Sequence, residues 1–271
     1  MPELPEVETI RRYLEPRLAS RCIDRVVIRH TGLRWPVSPT LRRKLAGQAI
    51  HAVERRAKYL LLRCTSGTLI LHLGMTGRVL VAPAATPVLK HDHLDLVLSD
   101  GNSLRFNDSR RFGCVLWTTQ DPRQHPLLSS LGIEPLEADL TGTYLHHRAA
   151  GRSVAVKNFI MNQRILVGVG NIYASEALFV AGIHPARPAG GISEKRYERL
   201  ANGIRQVLHQ ALQAGGTTLR DYRQGDGNPG GFQVALKVYG RVGEPCAACN
   251  RPLQHLRIGQ RSTFFCSKCQ R

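Results

Sequence analysis

Apolar side chains recur with a helical period near the start of the chain. Pro5 suits the first turn of a helix, and the acidic residues at positions 6 and 8 favour the positive end of a helix dipole. The apolar residues here are spaced three or four positions apart and share one face: Val7, Ile10, Leu14 and Leu18. This pattern predicts a helix over residues 5–19.

From about residue 22 to residue 118 the pattern changes to short β-rich runs. Gly, Pro, Asp and Asn separate the runs, as turns separate the strands of a β-sandwich or barrel-like domain. The runs that predict strands are Ile23–Ile28, Tyr59–Cys64, Thr68–Leu73, His93–Leu98 and Cys114–Trp117.

Helical periodicity returns after about residue 125. It is clearest over Phe159–Leu166, Ile172–Val180 and Lys195–Ala214, and a Pro- and Gly-rich connector separates the last two. Residues 224–231 contain too much glycine for regular structure and predict a loop. A strand-rich region followed by a helical region indicates an α+β protein.

The charge of the chain indicates a polyanionic partner. Its 271 residues include 38 Lys and Arg against 20 Asp and Glu, which gives a formal net charge of +18. Of the basic residues 31 are Arg, and guanidinium groups match phosphate oxygens two at a time. A GC-rich genome would explain Arg in place of Lys but not the net charge, so nucleic acid is the simplest partner.

The same sequence argues against a membrane or secreted protein. No apolar run reaches the roughly 18–20 residues that a membrane span needs. The first residues are acidic and broken by proline, unlike a signal peptide. We therefore expect a cytoplasmic protein.

Four of the seven cysteines predict a zinc site. They form two CxxC pairs separated by sixteen residues: Cys246 with Cys249, and Cys266 with Cys269. Two such pairs place four thiolates around one tetrahedral Zn²⁺, and a disulfide role is the weaker alternative in a chain without a secretion signal. Residues 251–265 between the pairs predict a short hairpin. The other three stand singly among apolar residues and are predicted to lie in the core: Cys22, Cys64 and Cys114.

The amino terminus carries candidate chemistry. Removal of Met1 would leave Pro2 as a secondary amine, and an α-amino group with a pKa of roughly 7.7–8 is partly neutral near physiological pH. Such an amine can attack a sugar C1′ and form an iminium that promotes elimination of phosphate. Glu3 is the adjacent candidate acid or base. Many proteins begin in this way without any catalytic role, so the terminus alone leaves the question open.

A set of sequence motifs lies in order along the chain. The motifs are Pro-Glu-Leu-Pro-Glu-Val-Glu-Thr (2–9), Arg-Arg-Ala-Lys-Tyr-Leu (55–60), His-Leu-Gly-Met-Thr-Gly (72–77), Lys-His-Asp-His (90–93), Arg-Arg-Phe-Gly (110–113), Gly-Val-Gly-Asn-Ile-Tyr-Ala-Ser-Glu (168–176) and Gln-Arg-Ser-Thr-Phe-Phe-Cys (260–266). Together they resemble the bacterial formamidopyrimidine-DNA glycosylases. The resemblance covers essentially the whole chain. It implies a bifunctional DNA glycosylase and abasic-site lyase that removes oxidised purines, chiefly 8-oxoguanine and formamidopyrimidines, and nicks the strand by β,δ-elimination.

The resemblance assigns roles to individual residues. Pro2 is implied to be the Schiff-base nucleophile and Glu3 its proton donor. Lys58 resembles the lysine of the lyase steps, and Arg261 resembles a phosphate-gripping arginine linked to the final elimination.

Further residues match positions that contact DNA in the family. Met75, Arg110 and Phe112 resemble the trio that fills the gap left by an everted base. Ser109 stands where many relatives carry proline, so a less rigid loop is expected there. The remaining implied contacts are His91, Arg152, Lys157 and Asn171.

The resemblance also implies the domain layout and the partners. We expect a catalytic N-terminal helix and β-sandwich over 1–120, a helical domain with a helix–two-turns–helix motif over 125–225, a lesion-recognition loop over 220–235 and a zinc finger over 236–271. One structural zinc is expected, because four thiolates leave no open position for catalysis. We expect a monomer that binds double-stranded DNA with an oxidised purine or abasic site, associated with the bacterial nucleoid.

Two other functions would share parts of the pattern. An endonuclease VIII-like glycosylase for oxidised pyrimidines would use similar chemistry, but Leu4 and the intact trio argue against that branch. A non-catalytic zinc-finger DNA-binding protein would account for the charge and the cysteines. It would leave Pro2, Glu3 and Lys58 without a role.

Overall fold

The structure, a computed structural model, describes residues 2–216 and 236–271, which form two compact units. The first unit runs to Ser129 and includes Gly215 and Gly216, and the second comprises the described residues from Ser130 to Ala214 and from 236 onward. The hairpin that carries the cysteines therefore belongs to the same unit as the helices between residues 130 and 214. The predicted lesion-recognition loop, 220–235, lies outside the described residues.

The first unit consists of a helix followed by a sheet domain. Helix α1 (Leu4–Leu18) forms as predicted and buries its apolar face, and a short helix α2 (Leu41–Leu45) follows the first strand. The strands are β1 (Arg21–Ile28), β2 (Ala49–Arg56), β3 (Tyr59–Cys64), β4 (Gly67–His72), β5 (Arg78–Pro83), β6 (Asp92–Leu98), β7 (Asn102–Asn107) and β8 (Cys114–Thr118).

Strands β2, β5 and β7 do not appear among the predicted runs. Strands β2 and β5 have partly exposed faces, and β7 carries a buried arginine, Arg105, between apolar residues. Polar side chains thus interrupt the apolar runs that would have revealed these strands.

Strand β1 joins the two halves of the sheet domain. Its first two residues pair with β2, which continues into β3, β4 and β8. From Ile23 onward it pairs with β6, which continues into β7 and β5. One hydrophobic core contains buried residues from both halves, including Leu60 and Leu71 from one and Leu96 and Phe106 from the other. The β-sandwich prediction is confirmed in this form.

The second unit is helical with one hairpin. Its helices are α3 (Gly142–Ala149), α4 (Val156–Ile160), α5 (Asn171–Ala181) and α6 (Glu194–Gln213), and its hairpin consists of β9 (Gln254–Ile258) and β10 (Arg261–Phe265). Helices α5 and α6 match the predicted segments, and so does the hairpin. None of the described helices is both long and apolar enough to cross a bilayer.

The helix predicted over Phe159–Leu166 is wrong in extent, because α4 ends at Ile160. Beyond it, the Asn162 side chain accepts a hydrogen bond from the Arg164 N–H at 3.0 Å. Asparagine side chains that bond nearby backbone amides in this way favour turns over helix.

Cys22 is exposed on β1, which corrects the prediction that it lies in the core, whereas Cys64 and Cys114 are buried. Burial raises the pKa of both buried thiols to about 11. A thiol reagent applied to the native zinc-loaded protein should therefore modify Cys22 first, because thiolate character and access control the rate. Peptide mapping checks the order, and a Cys22→Ser variant should lose the fast modification. Equal rates at Cys22 and Cys64 would contradict the fold described here.

Candidate functional site

The start of the chain is buried in the first unit. Pro2 is buried, and Glu3 is only 3% exposed. Helix α1 begins directly after them, and the buried Glu6 carboxylate accepts a hydrogen bond from the Glu3 N–H at 2.8 Å. This contact is part of a capping box, which fixes the backbone ahead of the first turn. The two residues are thus held in a defined place, although chain termini usually fray.

Polar contacts tie helix α1 to strand β2. The Glu8 carboxylate accepts a hydrogen bond from Arg55 Nε at 3.1 Å, and Glu15 accepts one from the Val53 N–H at 2.9 Å. Residues earlier in α1 therefore lie beside residues later in β2. The first turn of α1 lies toward the end of β2.

Lys58 lies at that end of β2, in the turn that leads into β3. Its side chain is buried, with 7% of the residue exposed. The preceding Ala57 has a positive φ of 53°, and its C=O accepts a hydrogen bond from Arg55 Nη1 at 2.9 Å, which fixes the turn. The alignment of α1 with β2 places Pro2 and Lys58 at the same end of the first unit.

The chain returns to this end after helix α6. A Cβ atom on Gly216 would lie 3.2 Å from Glu6 Oε1, so the backbone there passes directly beside the buried carboxylate. Gly216 also has a positive φ of 89°, which glycine adopts without strain. Gly216 is therefore adjacent to the N-terminal residues.

His72 is a half-buried histidine near Lys58 that carries no predicted role. Burial lowers its pKa to about 4, with the positive charges of Lys58 and Arg34 acting in the same direction. Its Nδ1 accepts a hydrogen bond from the Gly74 N–H at 3.0 Å, which leaves the proton of the neutral ring on Nε2. His72 therefore supports the start of the loop that carries Met75 as a neutral acceptor.

The three residues predicted to fill a gap in DNA are exposed together on two loops. Met75 is 41% exposed and Phe112 is 40% exposed. The Arg110 guanidinium carbon lies 4.7 Å from the centre of the Phe112 ring. Beside them is an open cavity of about 560 Å³ lined by Gly32, Leu33, Arg34, Arg110, Arg111 and Phe112. An exposed thioether, guanidinium and aromatic ring can enter a duplex.

His91 and Arg152 are two further residues that are predicted to contact DNA. His91 is partly exposed with a positive φ of 74°, and its C=O accepts a hydrogen bond from the Asp108 N–H at 3.1 Å. Arg152 is exposed after helix α3, where its Nε donates to the Arg148 C=O at 2.7 Å.

Two predicted DNA-contacting residues of the second unit converge on one backbone carbonyl. Lys157 Nζ donates to the Ser262 C=O at 3.0 Å, and Asn171 Nδ2 donates to the same oxygen at 3.0 Å. Lys157 is fully buried and also donates to Thr263 Oγ1 at 2.8 Å. Both side chains thus hold the hairpin strand that presents the exposed Arg261.

A buried glutamate in helix α5 anchors the chain at residues 237–239. Glu176 is 4% exposed, and its carboxylate accepts hydrogen bonds from three consecutive backbone N–H groups, of Lys237, Val238 and Tyr239, at 2.8–2.9 Å. Its position inside an apolar helix is a sequence signal for such a role, but its partners lie some sixty residues away. A carboxylate that accepts three hydrogen bonds from backbone amides holds this segment firmly in place.

The four predicted zinc ligands meet at the end of the hairpin. Their sulfur atoms all lie within 4.8 Å of one another, with Cys246 Sγ 3.9 Å from Cys269 Sγ and Cys249 Sγ 3.5 Å from Cys266 Sγ. Four sulfurs at about 2.3 Å from a tetrahedral zinc lie roughly 3.8 Å apart, so the arrangement fits the ion.

The sequence matches three family descriptions in order along the chain. Residues 1–115 match the formamidopyrimidine-DNA glycosylase N-terminal domain, and residues 131–223 match the H2TH domain of the same family. Residues 243–271 match the zinc finger found in FPG and IleRS. This chain belongs to the formamidopyrimidine-DNA glycosylase family.

Members of this glycosylase family align with the chain from end to end. It is 55% identical over 271 residues to the formamidopyrimidine-DNA glycosylase of Stutzerimonas stutzeri, with 100% of both chains covered. It is 56% identical over 272 residues to that of Alteromonas mediterranea, again with 100% coverage of both.

Solved structures of formamidopyrimidine-DNA glycosylases superpose closely on this chain. A mutant FPG of Lactococcus lactis in complex with Fapy-dG containing DNA gives a TM-score of 0.92 at 31% identity and covers 99% of each chain. The MutM (FPG) protein of Thermus thermophilus gives 0.87 at 40% identity, with 99% and 98% covered. The helix–two-turns–helix domain and the single structural zinc of the glycosylase are therefore confirmed.

The low pKa of His72 predicts a pH dependence of stability. Because its pKa is about 4 in the folded glycosylase and 6.5 ordinarily, the unfolded chain binds a proton between these values that the folded chain does not. The free energy of unfolding should thus fall as pH drops from 6.5 toward 4, and less steeply in a His72→Asn variant, which keeps an acceptor for Gly74. Urea unfolding across this pH range measures both slopes, and other titrating groups cancel in the comparison. Identical slopes would contradict the buried neutral ring.

Removal of the zinc should release the hairpin. Native mass spectrometry of the purified glycosylase should find one zinc per chain, absent from a Cys266→Ala variant. Hydrogen exchange of the β9 and β10 amides should accelerate after chelation, because the metal holds both ends of the hairpin. The β3–β4 amides of the first unit serve as the internal control. Unchanged exchange in the hairpin would show that the metal does not stabilise it.

Proposed function

We propose that this protein is a bifunctional DNA glycosylase and abasic-site lyase of base excision repair that removes oxidised purines such as 8-oxoguanine and formamidopyrimidines. The observation that carries the proposal is the burial of Pro2 and Glu3 at the start of α1, at the same end of the first unit as Lys58. Full-length identity of 55% to a formamidopyrimidine-DNA glycosylase supports the same reaction.

In the protein from which Met1 has been removed, the Pro2 nitrogen supplies the electron pair. It forms a bond to the sugar C1′ while the bond from C1′ to the damaged base breaks. The nitrogen releases its N–H proton, and this balances the proton that the departing base takes up. Glu3 transfers the proton that opens the sugar ring, which leaves an iminium between Pro2 and C1′. The iminium draws electrons from C2′, so loss of a C2′ proton expels the 3′ phosphate and a second elimination expels the 5′ phosphate.

Other groups assist these steps by charge. Lys58 is proposed to act in the elimination steps from its buried turn. Arg261, exposed on β10, is proposed to hold the phosphate that leaves. Lys157 and Asn171 contribute by holding the strand that presents it, through the Ser262 carbonyl.

Double-stranded DNA with an oxidised purine or an abasic site is the proposed substrate. Related FPG proteins of Lactococcus lactis have been crystallised with DNA that contains Fapy-dG or an abasic site. The net charge of +18 suits binding to phosphates, for which His91 and Arg152 are further candidates. Met75, Arg110 and Phe112 are proposed to fill the gap left by the everted base.

We further propose that the protein acts as a monomer in the bacterial cytoplasm, in association with the nucleoid. The relatives named above are bacterial proteins, which supports the bacterial part of this assignment.

Borohydride trapping tests the proposed activity. Incubation of the Met1-processed protein with a duplex containing 8-oxoguanine opposite cytosine, followed by borohydride, should reduce the iminium to a stable covalent adduct. A Pro2→Gly variant should trap much less, because it lacks the secondary amine.

Three outcomes would contradict parts of this proposal. If the folded, Met1-processed protein forms no adduct, the proposed mechanism is ruled out and a non-catalytic DNA-binding protein is favoured. Faster trapping on a thymine-glycol duplex would favour an oxidised-pyrimidine enzyme. Full trapping by the Pro2→Gly variant would show that the secondary amine is not required, and the modified residue, Lys58 or the primary amine that the substitution leaves at position 2, would identify the nucleophile.

A further inference from the structure

A fully buried carboxylate lies beneath the loops that carry Met75, Arg110 and Phe112. Asp108 follows directly after strand β7 and is 0% exposed. Its Oδ1 accepts hydrogen bonds from Thr76 Oγ1 at 2.6 Å and from the Arg110 N–H at 3.3 Å. Its Oδ2 accepts one from the Gly113 N–H at 2.8 Å.

Each of these donors belongs to, or adjoins, one of the three exposed side chains. Thr76 follows Met75 in one loop, and Gly113 follows Phe112 in the other. The third donor is the backbone of Arg110 itself, which also donates to Thr76 Oγ1 at 3.2 Å. The two loops are thus joined through one carboxylate.

The two loops also pack backbone against backbone at this point. A Cβ atom on Gly74 would lie 2.5 Å from the Phe112 carbonyl carbon, and one on Gly113 would lie 2.6 Å from the His72 carbonyl oxygen. Real Cβ atoms do not approach so closely, so both positions require glycine. The close backbone packing leaves the loops little room to slide past one another, and the Asp108 hydrogen bonds oppose their separation.

Hydrogen bonds also fix the backbone of Asp108. Its C=O lies 2.7 Å from Nε2 of the buried His93, and its N–H donates to the His91 C=O. The next residue is Ser109, so no proline ring stiffens the loop. Hydrogen bonds to a carboxylate are stronger than those to a neutral acceptor. The hydrogen bonds that the Asp108 carboxylate accepts therefore hold this loop in place of a proline ring.

We propose that Asp108 is the positioning residue that holds Met75, Arg110 and Phe112 in the arrangement that enters the duplex when the damaged base is everted. It does so through Thr76 and the amides of Arg110 and Gly113. The inference rests on the proposed function and deepens it, because it concerns eversion of the base and not the chemistry at C1′.

An Asp108→Asn variant tests this role through two reactions of the same protein. Single-turnover excision of 8-oxoguanine opposite cytosine requires a stacked base to be everted from the duplex. Strand scission at a preformed abasic site has no base to remove from the stack. In Asn one oxygen becomes an NH₂ donor that faces another donor, so we expect excision to slow by at least about tenfold while scission changes by less than about twofold.

A second pair of variants covers the case in which Asp108→Asn does not fold. Thr76→Val removes the hydroxyl that bridges Asp108 and Arg110, and Thr76→Ser restores it. Thr76→Val should slow excision selectively, and Thr76→Ser should recover most of the wild-type rate.

A core variant serves as the control for lost stability. Leu45→Ala in helix α2 removes a fully buried side chain of the same core without touching either loop. At a temperature where it remains folded, it should affect excision and scission equally. Equal losses in Asp108→Asn, or equal rates for Thr76→Val and Thr76→Ser, would overturn the inference. A wild-type protein that performs neither reaction would instead overturn the proposed function.

Discussion

The docking of helix α1 on strand β2 is the contact on which the proposed chemistry depends. A nucleophile at the end of a chain must be immobilised, and chain ends are the parts of a protein that fray most readily. Here Glu8 and Glu15 tie α1 to Arg55 and to the Val53 amide, while Glu6 fixes the backbone of Glu3. The resulting alignment brings the helix start and the Lys58 turn to one end of the sheet domain.

The same arrangement recurs at other points of the protein, including two that carry proposed functional side chains. In each case a buried polar group forms hydrogen bonds to backbone atoms of a loop or strand segment and fixes its position. Asp108 does this for the loops with Arg110, Glu176 for the segment from 237 to 239, and Lys157 for the strand after Arg261. Buried polar groups that are fully bonded to backbone in this way give a segment one defined position. Exposed arginine side chains can then bind phosphate while the backbone that carries them keeps a defined position.

Local patterns predicted much of this protein from its sequence. Helical spacing predicted α1, α5 and α6, and the paired CxxC motifs predicted the zinc site, because each depends on residues close together in the chain. Strands β2, β5 and β7 escaped prediction, because their polar side chains obscure the apolar pattern. The supporting roles of His72, Asp108 and Glu176 also escaped it, since their partners include backbone amides that no side-chain pattern reveals. Cys22 was misplaced in the core, because apolar neighbours do not tell which face of β1 a residue occupies.

Locating the protein atom that bonds to DNA tests directly whether the docked start of α1 supplies the nucleophile. Tandem mass spectrometry of the digested, borohydride-reduced complex identifies the peptide and the residue that carry the sugar remnant. The docked helix start predicts the remnant on the nitrogen of Pro2, in the peptide that begins α1. A remnant on Nζ of Lys58, with Pro2 unmodified, would contradict the account.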